Sequence, residues 1–227
     1  LPFLSQGFGH EEDSWGLAVN ALGMHESGKY EASRLPGHPL QEYIYAFLTP
    51  WISPVLFNLL SAVFSVMGIW FFARIMQHLD LPKPWLGALL LGMVPVYFAA
   101  STYTIDYVWS LAFSLGSGYY FLKRTWWISG LLLGAAVCCR LSAGVTLLCF
   151  IPLLNAPIFS GRNIRLFSLT VLASLPLILV LHIPLVDRYG MGFLTFTDQF
   201  PYPGLPKFLY KAGPGVWGSL GLLALAL

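Results

Sequence analysis

Apolar residues run along this chain in long blocks, without the alternation of a half-buried strand or the narrow stripe of a soluble amphipathic helix. Val55–Ala73 and Leu166–Val186 are each long enough for a bilayer span, which needs roughly 20 helical residues. Trp85–Ala100 and Tyr107–Leu122 reach that length only by recruiting their flanks. Ile128–Cys139 and Leu141–Leu154 are shorter still, separated by the single charge Arg140. They read as two short helices meeting near a membrane face, or as one span bent around a buried arginine. Val216–Leu227 reads as a span cut short and Leu1–Leu4 as the stub of an earlier one. The pattern predicts an all-α, polytopic transmembrane protein, with 1–227 a fragment of one domain. Residues 5–45 form a first outer loop, and spans and loops fill 50–227.

Composition sharpens this. The chain is 57% hydrophobic and 10% charged, with mean hydropathy +0.70, whereas soluble domains carry about 25% charged residues. The formal charge of +2 is spread in pairs and points to no nucleic-acid partner. Arg74 with Lys83, Lys123 with Arg124, and Arg162 with Arg165 share one set of connections, where Asp80 is the only acid; the other nine acids lie on the opposite set. Basic loops belong in the cytoplasm. Glu11–Asp13, Asp106 and Asp187 therefore fall on the outer or lumenal side, joined by Arg140 if the two-short-helix reading holds. Cys138, Cys139 and Cys149 sit in apolar runs without zinc spacing and read as small core residues.

The outer loop carries most of the polar chemistry. Leu17, Ala21 and Met24 recur at helical spacing after Asp13-Ser14, which would cap a short amphipathic helix lying on the membrane surface. Gly28-Lys29-Tyr30 ends that helix, and Pro36-Gly37 marks a turn that holds Arg34 at a corner facing the carboxylates. Glu11, Glu12 and Asp13 serve either as a solvated cap or as working carboxylates. Asp106 stands at the outer edge of an apolar run, where it could cap a helix, and Arg140 could snorkel or pair with Asp106. His10, His25 and His182 lack partners at ligand spacing, which argues against zinc. A hard divalent ion such as Mg or Mn on Glu11, Asp13 and Asp106 is chemically reasonable.

The order of Glu11-Glu12-Asp13-Ser14-Trp15, a surface helix, Gly28-Lys29-Tyr30 and Ser33-Arg34-Leu35-Pro36-Gly37-His38-Pro39-Leu40 resembles the multi-spanning GT-C glycosyltransferases. These include the protein O-mannosyltransferases and the aminoarabinose transferases of lipid A. The resemblance covers most of the chain in layout but only these short motifs in sequence, and Glu11 stands where the family's first Asp is usual. Asp106-Tyr107 resembles the family's second acidic position, and Arg140 with Ser142 its basic position toward the lipid phosphate.

The resemblance implies transfer of a sugar, with inversion, from a polyprenyl-phosphate donor to a hydroxyl of a lipid, glycan or protein acceptor. Asp13, Glu11, Glu12 and Asp106 would supply the catalytic carboxylates, and Arg140, Arg34 and His38 would meet the lipid phosphate. It further implies a multi-pass protein of the bacterial inner membrane with its acidic loop outside. The outer loop Asp198–Lys211, rich in proline and aromatics, reads as a substrate contact or as a plain turn between spans. A transporter or flippase is the rival reading. It is favoured by the many spans and by the glycines and prolines within them, and opposed by the lack of an internal repeat.

Overall fold

The computed structural model describes residues 2–51, 53–152, 160–198 and 204–212, and the described residues are all helical or loop, with no strand. A short 3₁₀ turn (Pro2–Ser5) precedes α1 (Glu12–Ser27), α2 (Pro39–Leu48), α3 (Pro54–His78), α4 (Pro84–Met93), α5 (Pro95–Ala100), α6 (Tyr107–Leu122) and α7 (Trp126–Cys139). A 3₁₀ segment (Leu141–Val145) runs into α8 (Thr146–Cys149). Then come α9 (Gly161–Tyr189), 3₁₀ turns over Gly190–Asp198, and α10 (Leu205–Ala212). The expected span Val216–Leu227 and the middle of the Asp198–Lys211 loop lie outside the described residues.

Local chemistry sets the boundaries. The Ser53 and Ser160 hydroxyls accept from the amides of Leu56 and Asn163, capping α3 and α9. Gly28 ends α1 at φ 64°, a left-handed conformation that favours glycine. The N-cap of α1 is Glu11, whose side chain makes no capping bond. The expectation that Asp13 or Ser14 caps this helix is therefore corrected: both lie inside its first turn. The expected segment Trp85–Ala100 is two helices, because Pro95 lacks an amide hydrogen and holds Val94 in an extended conformation (ψ 120°). Among the described residues two helices are long and apolar enough to cross a membrane, Pro54–His78 and Gly161–Leu194.

α7 packs between α6 and α9, α6 packs on α3, and α3 on α4. The layer is inside-out relative to a soluble domain. On α3, Val55, Leu59, Val63, Val66 and Trp70 are exposed, while Asn58, Ser61, Ser65 and Gly68 are buried. On α9, Leu172, Leu175, Leu179, Val180 and Ile183 are exposed, while Thr170 and Ser174 are buried. Buried hydroxyls find partners within the bundle: Ser117 Oγ donates to the Ser129 carbonyl (2.7 Å) and Ser110 Oγ to the Ala136 carbonyl (3.2 Å). Small residues let backbones approach closely. A Cβ at Gly130 would overlap Ala173 Cβ and the Thr170 carbonyl oxygen, and one at Gly134 would lie 2.9 Å from the Ser174 carbonyl oxygen.

The bundle's two ends differ. At one end the α6–α7 turn is tied to α9 by Arg124, which donates to Asn163 Oδ1 (2.8 Å), and Arg74 and Lys123 lie over the Tyr119 ring. At the other end α1 and α2 form a cap over the start of α6 and the end of α7. Tyr45 stacks on Phe57 (4.2 Å between centroids), and Gln41 donates to the Ile105 carbonyl (3.1 Å). Leu17, Ala21 and Met24 form the buried face of α1, and Trp15, Val19 and Leu22 are exposed. After α7 the chain bends at Arg140 (φ −151°, ψ 119°) and returns along α6, reaching Phe121 through Phe150 (4.8 Å).

The close α7–α9 seam predicts that Gly130→Val forces these helices apart and costs about 1–3 kcal/mol. Gly23→Ala, at an open position of α1, should instead raise stability by about 0.5–1 kcal/mol. Thermal unfolding in detergent checks both signs.

Candidate functional site

One buried carboxylate that the sequence reading passed over organises the site. Glu42, 1% exposed on the first turn of α2, receives four hydrogen bonds. Its Oε1 accepts from the Ser33 amide and hydroxyl (both 2.7 Å), and its Oε2 from the Tyr30 hydroxyl (2.6 Å) and the His38 amide (3.1 Å). A buried charge is tolerable only when its lone pairs are filled. The loop from Tyr30 to His38 is therefore folded around this side chain. Gly37, at φ 88°, closes the loop's turn by donating to the Arg34 carbonyl (2.7 Å). Burial, then the Glu42 charge and hydrogen bond, push the Tyr30 hydroxyl's pKa far above its ordinary value.

The loop presents Arg34 and His38 to two acids from different elements. Arg34 Nη1 forms an ion pair with Asp13 of α1, and Nη2 lies 3.7 Å from Asp106 Oδ1. Arg34 Nε donates to His38 Nε2 (3.2 Å). That leaves His38 Nδ1 to carry the ring proton and donate to the Cys139 carbonyl (2.6 Å), the last carbonyl of α7. Burial opposes the charge on Arg34, but Asp106 and Asp13 outweigh it and hold its pKa above the ordinary arginine value.

Asp106 immediately precedes α6 and is 1% exposed. Its side chain makes no capping bond, so the capping alternative gives way to ion pairing. Arg140 Nη1 donates to Asp106 Oδ2 (2.7 Å), and its guanidinium lies over the Tyr107 ring (4.3 Å). Asp106 Oδ1 has no hydrogen-bond partner. Carboxylate and guanidinium thus alternate across the cluster, from Asp13 through Arg34 and Asp106 to Arg140.

These groups line a cavity of about 980 Å³, with Glu12 at its rim and Leu17, Leu35, Pro36, Leu141 and Leu194 supplying an apolar side. Of the residues singled out from the sequence, Asp13, Glu12, Asp106, Arg34, His38 and Arg140 all line it. Glu11 is exposed and lies outside the lining. Among the described residues no three His, Cys, Asp or Glu side chains are arranged to hold a metal ion, and Arg34 stands between Asp13 and Asp106. The carboxylates are arranged to pair with guanidiniums here.

The combination is amphiphilic: guanidinium donors that suit phosphate or carboxylate oxygens, two carboxylates, and apolar side chains beside them. No family model, curated protein or solved structure matches the chain.

Folding raises the Tyr30 pKa, so the stability gained from its proton is complete below about pH 10 and is lost as pH rises beyond it. Wild type should accordingly lose melting temperature above about pH 10 more steeply than Tyr30→Phe. At neutral pH, Tyr30→Phe should cost about 1–2 kcal/mol for the lost bond to a charged acceptor.

Proposed function

We propose that this chain is a polytopic membrane protein and that its cavity belongs to a glycosyltransferase. It takes a sugar from a polyprenyl-phosphate donor at the non-cytoplasmic face. The observation that carries the reading is the pairing of two carboxylates with two guanidiniums beside an apolar wall, at the end of the bundle opposite the basic turns. Arg124 and its neighbours mark the cytoplasmic end by the positive-inside rule. Large apolar side chains outside and small polar ones inside suit lipid as the surrounding solvent. The motif order resembling GT-C enzymes supplies the reaction class. The bacterial inner membrane is the setting that resemblance suggests.

In this reading the donor's isoprenoid lies along Leu35, Leu141 and Leu194, and its phosphate meets Arg140 and Arg34. An acceptor hydroxyl of a lipid, glycan or protein attacks the anomeric carbon from the side opposite the phosphate. The new C–O bond forms as the bond to the phosphate oxygen breaks, and that electron pair leaves on the phosphate. The hydroxyl proton passes to a carboxylate, with Asp13 the better placed because it is part-exposed at the cavity. Guanidiniums stabilise the charge that grows on the leaving phosphate. Asp106 holds Arg140 in place and, through Oδ1, can orient the acceptor. The transporter reading draws no support from the cluster's position, which is at the end of the bundle and not at its middle.

Release of polyprenyl phosphate from labelled polyprenyl-phosphate sugars, assayed on the full chain in membranes, tests this. Asp13→Asn should lower turnover by about 10²-fold or more, the usual contribution of a general base. Arg140→Lys keeps a cation for Asp106 but loses the planar fork, and should cost about 10- to 100-fold. Unchanged turnover in both variants would refute the assigned roles. Topology has its own check: Glu11→Cys should react with a membrane-impermeant maleimide in intact cells, and Arg162→Cys only after lysis.

A further inference from the structure

The cavity's charges are already paired, which constrains how an anion can enter. Arg34 spends Nη1 on Asp13 and Nε on His38, while Nη2 points toward Asp106 at 3.7 Å without reaching hydrogen-bond distance. Arg140 has Asp106 on one edge and the Tyr107 ring beneath it. The two ion pairs differ in burial. Asp106 is 1% exposed and cannot be left without a cation, whereas the Asp13 side chain is 32% exposed and can rehydrate when its partner leaves.

We infer that Arg34 is a latch shared between Asp13 and the phosphate of an incoming lipid. Its guanidinium exchanges the Asp13 carboxylate for phosphate oxygens when the headgroup binds, and this frees Asp13. The inference rests on the phosphate-binding reading of the cavity and goes beyond it. In the empty site Asp13 is held in an ion pair with Arg34. In the loaded site it is an unpaired carboxylate beside the acceptor. The carboxylate is therefore free to meet the acceptor only when the donor is seated. His38 keeps Arg34 near the cavity during the exchange, because the Nε bond to the imidazole does not involve either Nη group.

The latch makes an unusual prediction of sign. Asp13 competes with the phosphate for Arg34, so removing its charge should improve binding even as it removes the base. A part-exposed ion pair of this kind corresponds to about a two- to fivefold effect on an equilibrium. The experiment is calorimetric titration of the purified full chain with farnesyl phosphate in detergent, with farnesol as the uncharged control. Wild type should bind farnesyl phosphate over farnesol, Asp13→Asn should bind it about two- to fivefold tighter, and Arg34→Ala should bind it more weakly. Equal or weaker binding by Asp13→Asn, with wild type still preferring the phosphate, would overturn the latch and leave the phosphate site standing. No preference for the phosphate in wild type would overturn the phosphate site and the latch together.

Discussion

The buried carboxylate of Asp106 is the constraint on which the rest of this structure turns. A charge at 1% exposure at the head of a helix needs a cation at hydrogen-bond distance, and Arg140 supplies it from the far end of α7. That requirement fixes three things at once. α6 and α7 must be in register as a hairpin, α7 must end at Cys139 so that Arg140 can turn inward, and Arg140 itself must be extended before the 3₁₀ segment begins. Helix-dipole attraction at the start of α6 adds to the same preference. Removing Arg140 would leave the buried Asp106 with Arg34 at 3.7 Å and His38 at 3.8 Å, neither at hydrogen-bond distance.

A second buried carboxylate does for the cap what Asp106 does for the bundle. Glu42 gathers Tyr30, Ser33 and His38 around one side chain, and in doing so it delivers Arg34 to Asp13 and Asp106. Neither carboxylate stands over the bulk apolar packing. Both sit where α1 and α2 close over the helix ends, and the packing of Tyr45, Phe57 and Trp109 holds that closure in place. Inside the bundle, buried serines, glycines and alanines pack beside large side chains such as Phe57, Trp109, Phe121 and Leu133, while many other large aliphatic side chains face outward. Charge is thus gathered at one end, hydroxyls lie within, and exposed hydrocarbon covers much of the girth.

Much of this was legible in the residues. The apolar runs Val55–Ala73 and Leu166–Val186 fall inside α3 and α9, and Leu17, Ala21 and Met24 mark the buried face of α1. Gly28 ends that helix as a glycine should. A lone arginine in an apolar stretch and an aspartate at the edge of another do meet, because a charge at such depth has few alternatives. What was not legible depends on folding at a distance. Glu42 lies three residues after Pro39, where a helix's first turn ordinarily carries a solvated acid, and nothing nearby in sequence says that a loop will wrap it. Glu11 and Asp13 look interchangeable in the chain, and only the start of the helix decides that Asp13 faces the cavity and Glu11 does not. The break at Pro95 was readable from the Val94-Pro95 pair, but the apolar run continues through it and masks the joint.

In the proposed function an anionic lipid headgroup is received at the Arg34–Arg140 end of the bundle. Cryo-electron microscopy of the full-length protein with a bound polyprenyl phosphate tests it most directly. Phosphate density is expected between the guanidiniums of Arg34 and Arg140, with the isoprenoid along Leu35, Leu141 and Leu194. Phosphate density at the opposite end, among Arg124, Arg162 and Arg165, would contradict it.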